Sequence, residues 1–388
     1  MPELQVQKFL RGIGKVDYYT PATVHLDLLK AKYSIDYKQH SRIPNFYLLK
    51  YNQIESPFDK EIVRECRGLI LDSADNWNVV CYSFNKWFNY GEVNAAKIDW
   101  STARVEAKLD GSMICLSYYK PLAIWNVSTS GCPDGTNLIN DTGETFNSLF
   151  WNILEKNYPD LVCYLDKDLT YIFELTGPLN RVVVDYKKSD ITLIGVRDNT
   201  TFEEIKPIDE VCFINNNAVE DGFSEYPLKV AESYDLVSID ECIEAANKLN
   251  PLENEGYVVV DAAFNRIKVK SPAWVAIHHI KDTCSLAKIA EVIRVGEYQE
   301  FLTALDSYPE IKQKFIDLVF TYEGVINIIE LIYSNIKNTK SQKEFAEKAC
   351  KTDYSSVLFS MRKTGQSAKI VIKNMLKNSY LKLMGVKE

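Results

Sequence analysis

The sequence lacks any long hydrophobic run. Its uninterrupted apolar segments are far shorter than the roughly 20 residues that a membrane-spanning helix needs. The first residues, Met1 to Gln5, also lack the charged and apolar regions of a secretory signal peptide. We therefore expect no membrane association and a cytoplasmic location.

The sequence also lacks the spacings that bind zinc or form disulfide frameworks. It has nine cysteines, none of them in a C-x-x-C pair, and only four histidines, of which His278 and His279 are adjacent. An odd number of unpaired cysteines is typical of reduced thiols in a cytosol. Both observations argue against a secreted scaffold and against a zinc protein.

Basic residues are not in excess, since the net charge is −8. That balance argues mildly against nucleic-acid binding, but the charge is unevenly distributed. From Lys337 to Glu388 there are 12 basic and 4 acidic residues, a local balance of +8 on an otherwise acidic chain. A basic tail is compatible with nucleic acid, and a solvated helical face explains it equally well.

The most informative stretch is K-x-D-G-S, which begins at Lys108. Strand-like segments flank it on both sides, and the Asp110-Gly111 pair is a turn signal. Lys108 is therefore predicted at a strand end beside a tight turn. A lysine becomes a nucleophile when burial or neighbouring cations lower its pKa, so a covalent adduct is one interpretation. An ordinary exposed hairpin turn is the other.

The chain changes character near residue 280. Before that point, short strand-like segments alternate with occasional helical ones, and residues 254–271 resemble a hairpin whose second strand carries Lys268 and Lys270 on one face. Those lysines alone are equally compatible with an edge strand protected by charge. After about residue 285 only helical spacing remains. We predict an α+β domain over 1–280 and an all-helical domain over 281–388.

Several motifs in a fixed order resemble the covalent nucleotidyltransferase superfamily of ligases and capping enzymes. They are Lys108-x-Asp110-Gly111, a strand-borne Glu174, Glu255-Gly256 and Lys268-x-Lys270. Further segments make the chain similar to the phage tRNA-repair RNA ligases, the RNA ligase 1 type, over about residues 45–280. Those segments are Glu65-Cys66-Arg67-Gly68, Lys86-Trp87-Phe88-Asn89 and Pro178-x-Asn180-Arg181-Val182.

The resemblance implies a fold, an activity and a site. The fold is a nucleotidyltransferase domain of antiparallel sheets flanked by helices, followed by a helical domain for recognition of RNA ends. The activity is ATP-dependent joining of 5′-phosphate and 3′-hydroxyl ends of single-stranded RNA through lysyl–AMP and adenylated RNA. Lys108 is the implied nucleophile, and the implied nucleotide-binding residues are Tyr51, Arg67, Lys86, Phe88, Asp110, Gly111, Glu174, Glu255, Lys268 and Lys270.

Individual roles follow from the same resemblance. Phe88 is expected to stack on adenine, and Lys86 to bind phosphate. Lys268 and Lys270 are expected to supply positive charge, and to lower the pKa of Lys108. Glu174 is expected to hold the ribose hydroxyls or a water bound to a divalent metal, magnesium or manganese, and Glu255 to act on the same metal side. The expected partners are single-stranded RNA ends, with broken tRNA as one candidate, and no obligate protein partner is indicated. A phage source, and so a host cytoplasm, is also implied.

The sequence departs from that family at three places. The segment Val127 to Gly131 has no lysine where the family has lysines before the glycine. Trp274 stands where a tyrosine is expected, and Glu297 and Glu300 are the nearest candidates for a metal site in the helical domain.

Two other functions remain open from the sequence. A capping-type guanylyltransferase would form the same lysine adduct with GTP, although no barrel-like strands follow Lys270. A non-catalytic RNA-binding relative would keep the fold without needing Lys108.

Overall fold

The computed structural model describes residues 2–12, 21–140, 142–220, 228–283, 286–295 and 309–386. These residues divide into two compact units, one made of residues up to 249 with 253–271, the other of 250–252 with the residues from Pro272 onward. The division thus falls at Ser271, somewhat before the boundary near 280 that the sequence favours. No described helix is long and apolar enough to cross a membrane.

The first unit is built on three sheets. The first sheet has the order β1-β2-β3-β4. The second has the order β11-β10-β9-β7-β8, with β12 pairing parallel to β10, and the third has the order β13-β6-β14-β15-β5. Apart from β12 and from β5, which is parallel to β15, the pairings are antiparallel. The strands are β1 Ile35–Gln39, β2 Phe46–Tyr51, β3 Arg67–Asp72, β4 Asn78–Cys81, β5 Phe88–Asn89, β6 Arg104–Lys108, β7 Ser112–Tyr119, β8 Ile124–Thr129, β9 Leu169–Thr176, β10 Asp190–Asp198, β11 Glu204–Ile205, β12 Lys229–Val230, β13 Ser233–Tyr234, β14 Gly256–Val260 and β15 Arg266–Lys270.

Helices cover the outer faces of these sheets, and the described part of the second unit is helical. The helices of the first unit are α1 Gln5–Gly12, α2 Ala22–Tyr33, α3 Glu61–Glu65, α4 Phe146–Asn157, α5 Leu161–Tyr164, α6 Pro207–Glu220 and α7 Ile239–Asn247. Those of the second unit are α8 Pro272–Thr283, α9 Leu286–Val295, α10 Pro309–Ile336, α11 Gln342–Ala349, α12 Ser355–Thr364, α13 Ala368–Lys373 and α14 Lys377–Leu383. The predicted α+β class with a helical C-terminal region is confirmed.

The hydrophobic cores form on both faces of the second sheet, because successive side chains of a strand point to opposite faces. The first two sheets pack against each other through buried residues of both, for example Leu48 and Ile70 from the first with Cys115 and Ile172 from the second. Alternate residues of a strand point to opposite faces, so the other face of the second sheet packs on α4 and α6. The third sheet is covered by α7.

The turn after Lys108 is not a hairpin. β6 pairs with β13 and β14 in the third sheet, whereas β7 pairs with β8 and β9 in the second. The exposed-hairpin interpretation of K-x-D-G is therefore wrong, because Asp110 is buried where the chain passes from one sheet to another. The motif Glu65-Cys66-Arg67-Gly68 spans two elements, since α3 ends at Glu65 and β3 begins at Arg67.

Gly111 is required at this crossing. A Cβ atom there would fall against the carbonyl oxygen of Leu175 on β9, and backbone cannot give way as a flexible side chain would. We therefore predict that Gly111→Ala lowers the free energy of unfolding by about 1–3 kcal/mol, the usual cost of overpacking. Urea titration would measure the loss. The matched control is Gly12→Ala, where no described atom lies within 4 Å. An unchanged midpoint for Gly111→Ala would contradict the packing described.

Candidate active site

Lys108 ends strand β6 and meets a buried carboxylate from the neighbouring strand. Its Nζ atom lies 2.7 Å from Oε2 of Glu255, and Oε1 of the same carboxylate lies 2.8 Å from Nζ of Lys270. Glu255 is only 3% exposed. One carboxylate thus balances two ammonium groups, so the pair of lysines keeps a net positive charge.

Gly256 makes that arrangement possible. It directly follows Glu255 and has a φ of 150°, and a Cβ atom there would collide with the Val269 carbonyl oxygen on β15. β14 can therefore lie close to β15 only with glycine at this position. Gly256 pairs with both Lys108 and Lys270, which explains how one carboxylate reaches both amines.

Asp110 and Gly111 hold the turn, and Gly111 also lines the pocket. The Asp110 carboxylate accepts hydrogen bonds from the backbone N–H groups of Val183 and Val184, at 2.8 and 2.7 Å. The Gly111 N–H donates to Oε1 of Glu174 at 3.0 Å. These contacts fix the loop between two sheets, and with it the direction in which Lys108 leaves its strand.

Glu174 is a pocket carboxylate whose charge is disfavoured. Burial raises the pKa of its side chain to about 7, against the opposing effect of Lys108. Near neutral pH it therefore exchanges between an acceptor and a proton donor. A cation bound beside it, such as a divalent metal, would favour the charged form.

Lys268 is the cation whose charge is disfavoured. Burial lowers its pKa to about 7, and the nearby positive charges of Lys86, Lys108, Arg67 and Lys270 lower it further in the same direction. An anion that binds beside an amine among so many cations stabilises the charged form of that amine. The site is thus prepared for a highly charged anionic ligand.

Arg67 and Trp87 form an adjoining wall. The Arg67 guanidinium lies 5.4 Å from the centre of the Trp87 ring, and Lys268 approaches the same ring at 6.0 Å. Arg67 Nη1 and Trp87 Nε1 are buried, and neither has a hydrogen-bond acceptor among the described residues. Two unused buried donors fit an anion with several oxygen atoms.

Three of the predicted nucleotide-binding residues lie together, but outside that wall. The Lys86 amine sits over the rings of Tyr51, Phe58 and Phe88, at 5.2, 5.3 and 5.6 Å from their centres. Phe88 is buried and packs edge-on against Phe58. Its stacking on adenine stays a prediction, and the geometry shows it as part of an aromatic cage around Lys86.

The Lys108 pocket has a volume of about 640 Å³. It includes Trp87, which the sequence did not single out, and it excludes Tyr51, Lys86 and Phe88 from its lining. Its charged lining residues are Lys38, Lys50, Arg67, Glu106, Lys108, Glu174, Arg266, Lys268 and Lys270. Cations thus outnumber carboxylates, and the pocket is suited to a polyanion.

A purely proteinaceous metal site is not found in the described part of the chain, where no three histidine, cysteine or acidic side chains converge. Glu174 and Glu255 supply hard oxygen atoms of the kind that magnesium and manganese prefer. Two carboxylates fit a metal that takes its remaining ligands from phosphate and water. Glu297 and Glu300 lie outside the described residues.

The structure also shows the other two places at which the sequence departs from the family. Thr129, Ser130 and Gly131 line the Lys108 pocket without contributing charge. Trp274 lies in α8 of the second unit, is buried, and stacks on His278 with 4.7 Å between ring centres. It lies in a different compact unit from Lys108.

Comparison with known proteins bears directly on this pocket. The family model described as RNA ligase matches residues 65–274. That range is more than half of the chain and contains all of the motif residues from Arg67 to Lys270. The chain belongs to the RNA ligase family. The predicted family is thereby confirmed, and so is the prediction of a ligase.

Individual relatives agree with this assignment. The chain is 28% identical to an RNA ligase of Rhodothermus phage RM378, over 77% of this chain and 79% of the phage protein. It is 30% identical to a protein of Autographa californica nuclear polyhedrosis virus described as a bifunctional polynucleotide kinase/RNA ligase. That match covers 76% of this chain and 42% of the viral protein.

A solved archaeal ATP-dependent RNA ligase is a more distant neighbour. It is 14% identical and has a TM-score of 0.45, over 90% of this chain and 89% of that chain. A likeness this remote has no bearing on the chemistry of the pocket.

The pKa of Lys268 gives a pH-dependent prediction. The folded-state pKa of Lys268, about 7, lies below the unfolded value of 10.5. Burying the charged amine therefore lowers the free energy of unfolding, and this loss has its full size below pH 7. The loss becomes smaller as the pH rises and disappears near pH 10.5. Lys268→Met should therefore stabilise the protein by on the order of 1–3 kcal/mol at pH 6, with solvent screening at the half-buried amine taken into account. The gain should shrink by pH 10.

Urea unfolding across that pH range would measure the difference between the variant and the wild type. Lys268→Arg is the control, because a guanidinium stays charged throughout and so brings no relief at pH 6. A gain from Lys268→Met that is the same at pH 6 and pH 10 would show that Lys268 carries no such penalty.

Proposed function

We propose that this protein is an ATP-dependent RNA ligase that joins 5′-phosphate and 3′-hydroxyl ends of single-stranded RNA. The observation that supports it most is the Lys108 amine, hydrogen-bonded to Glu255 at the edge of a pocket rich in cations. The family assignment supplies the RNA substrate. Broken tRNA as the natural substrate, and the cytoplasm as the location, are part of the same proposal.

In the first step the Lys108 amine bonds to the α-phosphorus of ATP. The bond from that phosphorus to the bridging oxygen breaks, and pyrophosphate leaves. Lys108 must lose a proton to attack, and the Glu255 carboxylate lies within reach of it at 2.7 Å. Arg67, Lys268 and Lys270 balance the charge that develops on the departing phosphates.

In the later steps the same pocket transfers AMP to RNA. An oxygen of the RNA 5′-phosphate bonds to the phosphorus of lysyl–AMP, the P–N bond breaks, and Lys108 regains its proton. The 3′-hydroxyl of a second RNA end then attacks the adenylated 5′-phosphate, and AMP leaves. Each step is a displacement at phosphorus, so positioning and charge provide most of the rate enhancement.

A bound divalent metal would neutralise phosphate oxygens in these displacements. Glu174 is the carboxylate better suited to it, because both oxygens of Glu255 contact lysine amines. Once Lys108 is bonded to AMP its ammonium charge is gone, and Oε2 of Glu255 is released. Glu255 can then hold the proton that Lys108 regains when AMP passes to RNA.

Lys108→Ala should abolish the covalent intermediate, because it removes the attacking nitrogen. We expect no detectable labelled protein after incubation with radiolabelled ATP and magnesium, followed by a denaturing gel. Lys248→Ala is a matched control, since Lys248 is exposed at the end of α7 and its amine pairs with Glu244. Residual labelling of the Lys108 variant would assign the nucleophile elsewhere. Label retained from GTP alone would indicate a capping-type enzyme.

The substrate class needs a separate experiment. We expect the wild-type protein to seal 5′-phosphorylated single-stranded RNA with ATP and magnesium more efficiently than a nicked duplex. Product formation on both substrates would be measured under single-turnover conditions. Efficient sealing of nicks with no sealing of single strands would contradict the proposed substrate.

A further inference from the structure

Two lysines of the first sheet line the Lys108 pocket and have no part in the chemistry described above. They are Lys38 on β1 and Lys50 on β2. Lys50 pairs across the sheet with Arg67, so its side chain leaves the sheet beside that of Arg67. The cationic wall therefore extends from the third sheet across to the first.

The Lys50 amine lies next to the uncharged segment at the end of β8, residues 129–131. Its Nζ atom lies 3.2 Å from the position that a Cβ atom on Gly131 would occupy. Thr129 and Ser130, which precede that glycine, line the same pocket but carry no charge. The positive charge at this side of the pocket thus comes from β2, through a long side chain that glycine leaves room for.

Lys50 is held there without a balancing carboxylate. Burial lowers its pKa, and the neighbouring charges of Lys38 and Arg67 lower it further. Lys108 and Lys270 share Glu255, but among the described residues no acidic side chain forms an ion pair with Lys50. A half-buried cation beside other cations is stabilised when an anion binds.

The number of these cations suits a chain of phosphates. Lys50, Arg67, Lys108 and Lys268 line one pocket of about 640 Å³, and the charge of Arg67 acts on both Lys268 and Lys50. A ligand whose first phosphorus lies at Lys108 has further negative charges to place near the other three cations.

We propose that Lys50 binds the distal phosphates of the ATP triphosphate and so acts only in the formation of lysyl–AMP. The inference rests on the proposed function. Pyrophosphate leaves in the first step, and no later step contains it. Lys50 is thus a substrate-binding residue of the first reaction. Its amine supplies the positive charge that Thr129 and Ser130, at the end of β8, do not.

The experiment separates the two halves of the reaction. Lysyl–AMP formation is measured against ATP concentration, and sealing of pre-adenylated RNA is measured without ATP. For Lys50→Met we expect the apparent KM for ATP to rise by about 10- to 100-fold, the effect of losing one charge-assisted hydrogen bond. Sealing of pre-adenylated RNA should stay within about twofold of wild type, which also shows that the variant is folded.

A charge-relocation variant strengthens the test. Ser130 lines the pocket beside Gly131, so Ser130→Lys combined with Lys50→Met returns a positive charge from β8. We expect the double variant to regain at least part of the lost ATP affinity, and Lys50→Arg to keep most of it. A structural role for Lys50 would give no recovery through Ser130→Lys.

Other outcomes overturn the inference in distinct ways. An unchanged KM for ATP in Lys50→Met would remove Lys50 from triphosphate binding. Slower sealing of pre-adenylated RNA with a normal KM for ATP would assign Lys50 to the RNA backbone instead. If the wild-type protein forms no lysyl–AMP at all, the proposed function itself fails, and the inference about Lys50 fails with it.

Discussion

The site depends on one buried carboxylate that two lysines share. Glu255 holds Lys108 and Lys270 within hydrogen-bonding distance, at 2.7 and 2.8 Å. Without it, a cluster of ammonium groups at the end of three paired strands would repel itself. With only one negative charge for two positive ones, the pocket keeps the excess positive charge that a nucleoside triphosphate needs.

That arrangement requires a particular meeting of sheets. β6 and β14 bring Lys108 and Glu255 together, and β9 places Glu174 against the turn that follows Lys108. Burial then shifts the pKa values of Glu174 and Lys268 toward 7 from opposite sides. The fold thus prepares a carboxylate and an amine that both change charge easily when phosphate and metal bind.

Much of this could be predicted from local sequence signals. β15 alternates polar and apolar residues, whereas β14 and β9 are mainly apolar runs, and the motif residues of these strands lie at the predicted places. Other elements were missed. α6 was not predicted, although Pro207 at its first position and two acids in its first turn are a recognised helix start. Within the predicted helical domain, residues 366–384 form two helices, α13 and α14, and α12 precedes them.

The contacts that make the site could not be predicted from such signals. Lys108 and Glu255 are separated by 147 positions along the chain. Nothing local shows that β6 and β7 belong to different sheets, or that Lys50 reaches Gly131. Nor does the segment Lys86 to Phe88 show that Trp87 lines the Lys108 pocket, since all three residues line a neighbouring pocket.

The central claim is that the Lys108 amine becomes covalently bonded to AMP. Peptide mass spectrometry of the wild-type protein after incubation with ATP and magnesium tests it most directly. The account predicts one added AMP, on the peptide that contains Lys108 and on that side chain. AMP found on another residue, or no adduct in a protein that still seals RNA, would contradict it.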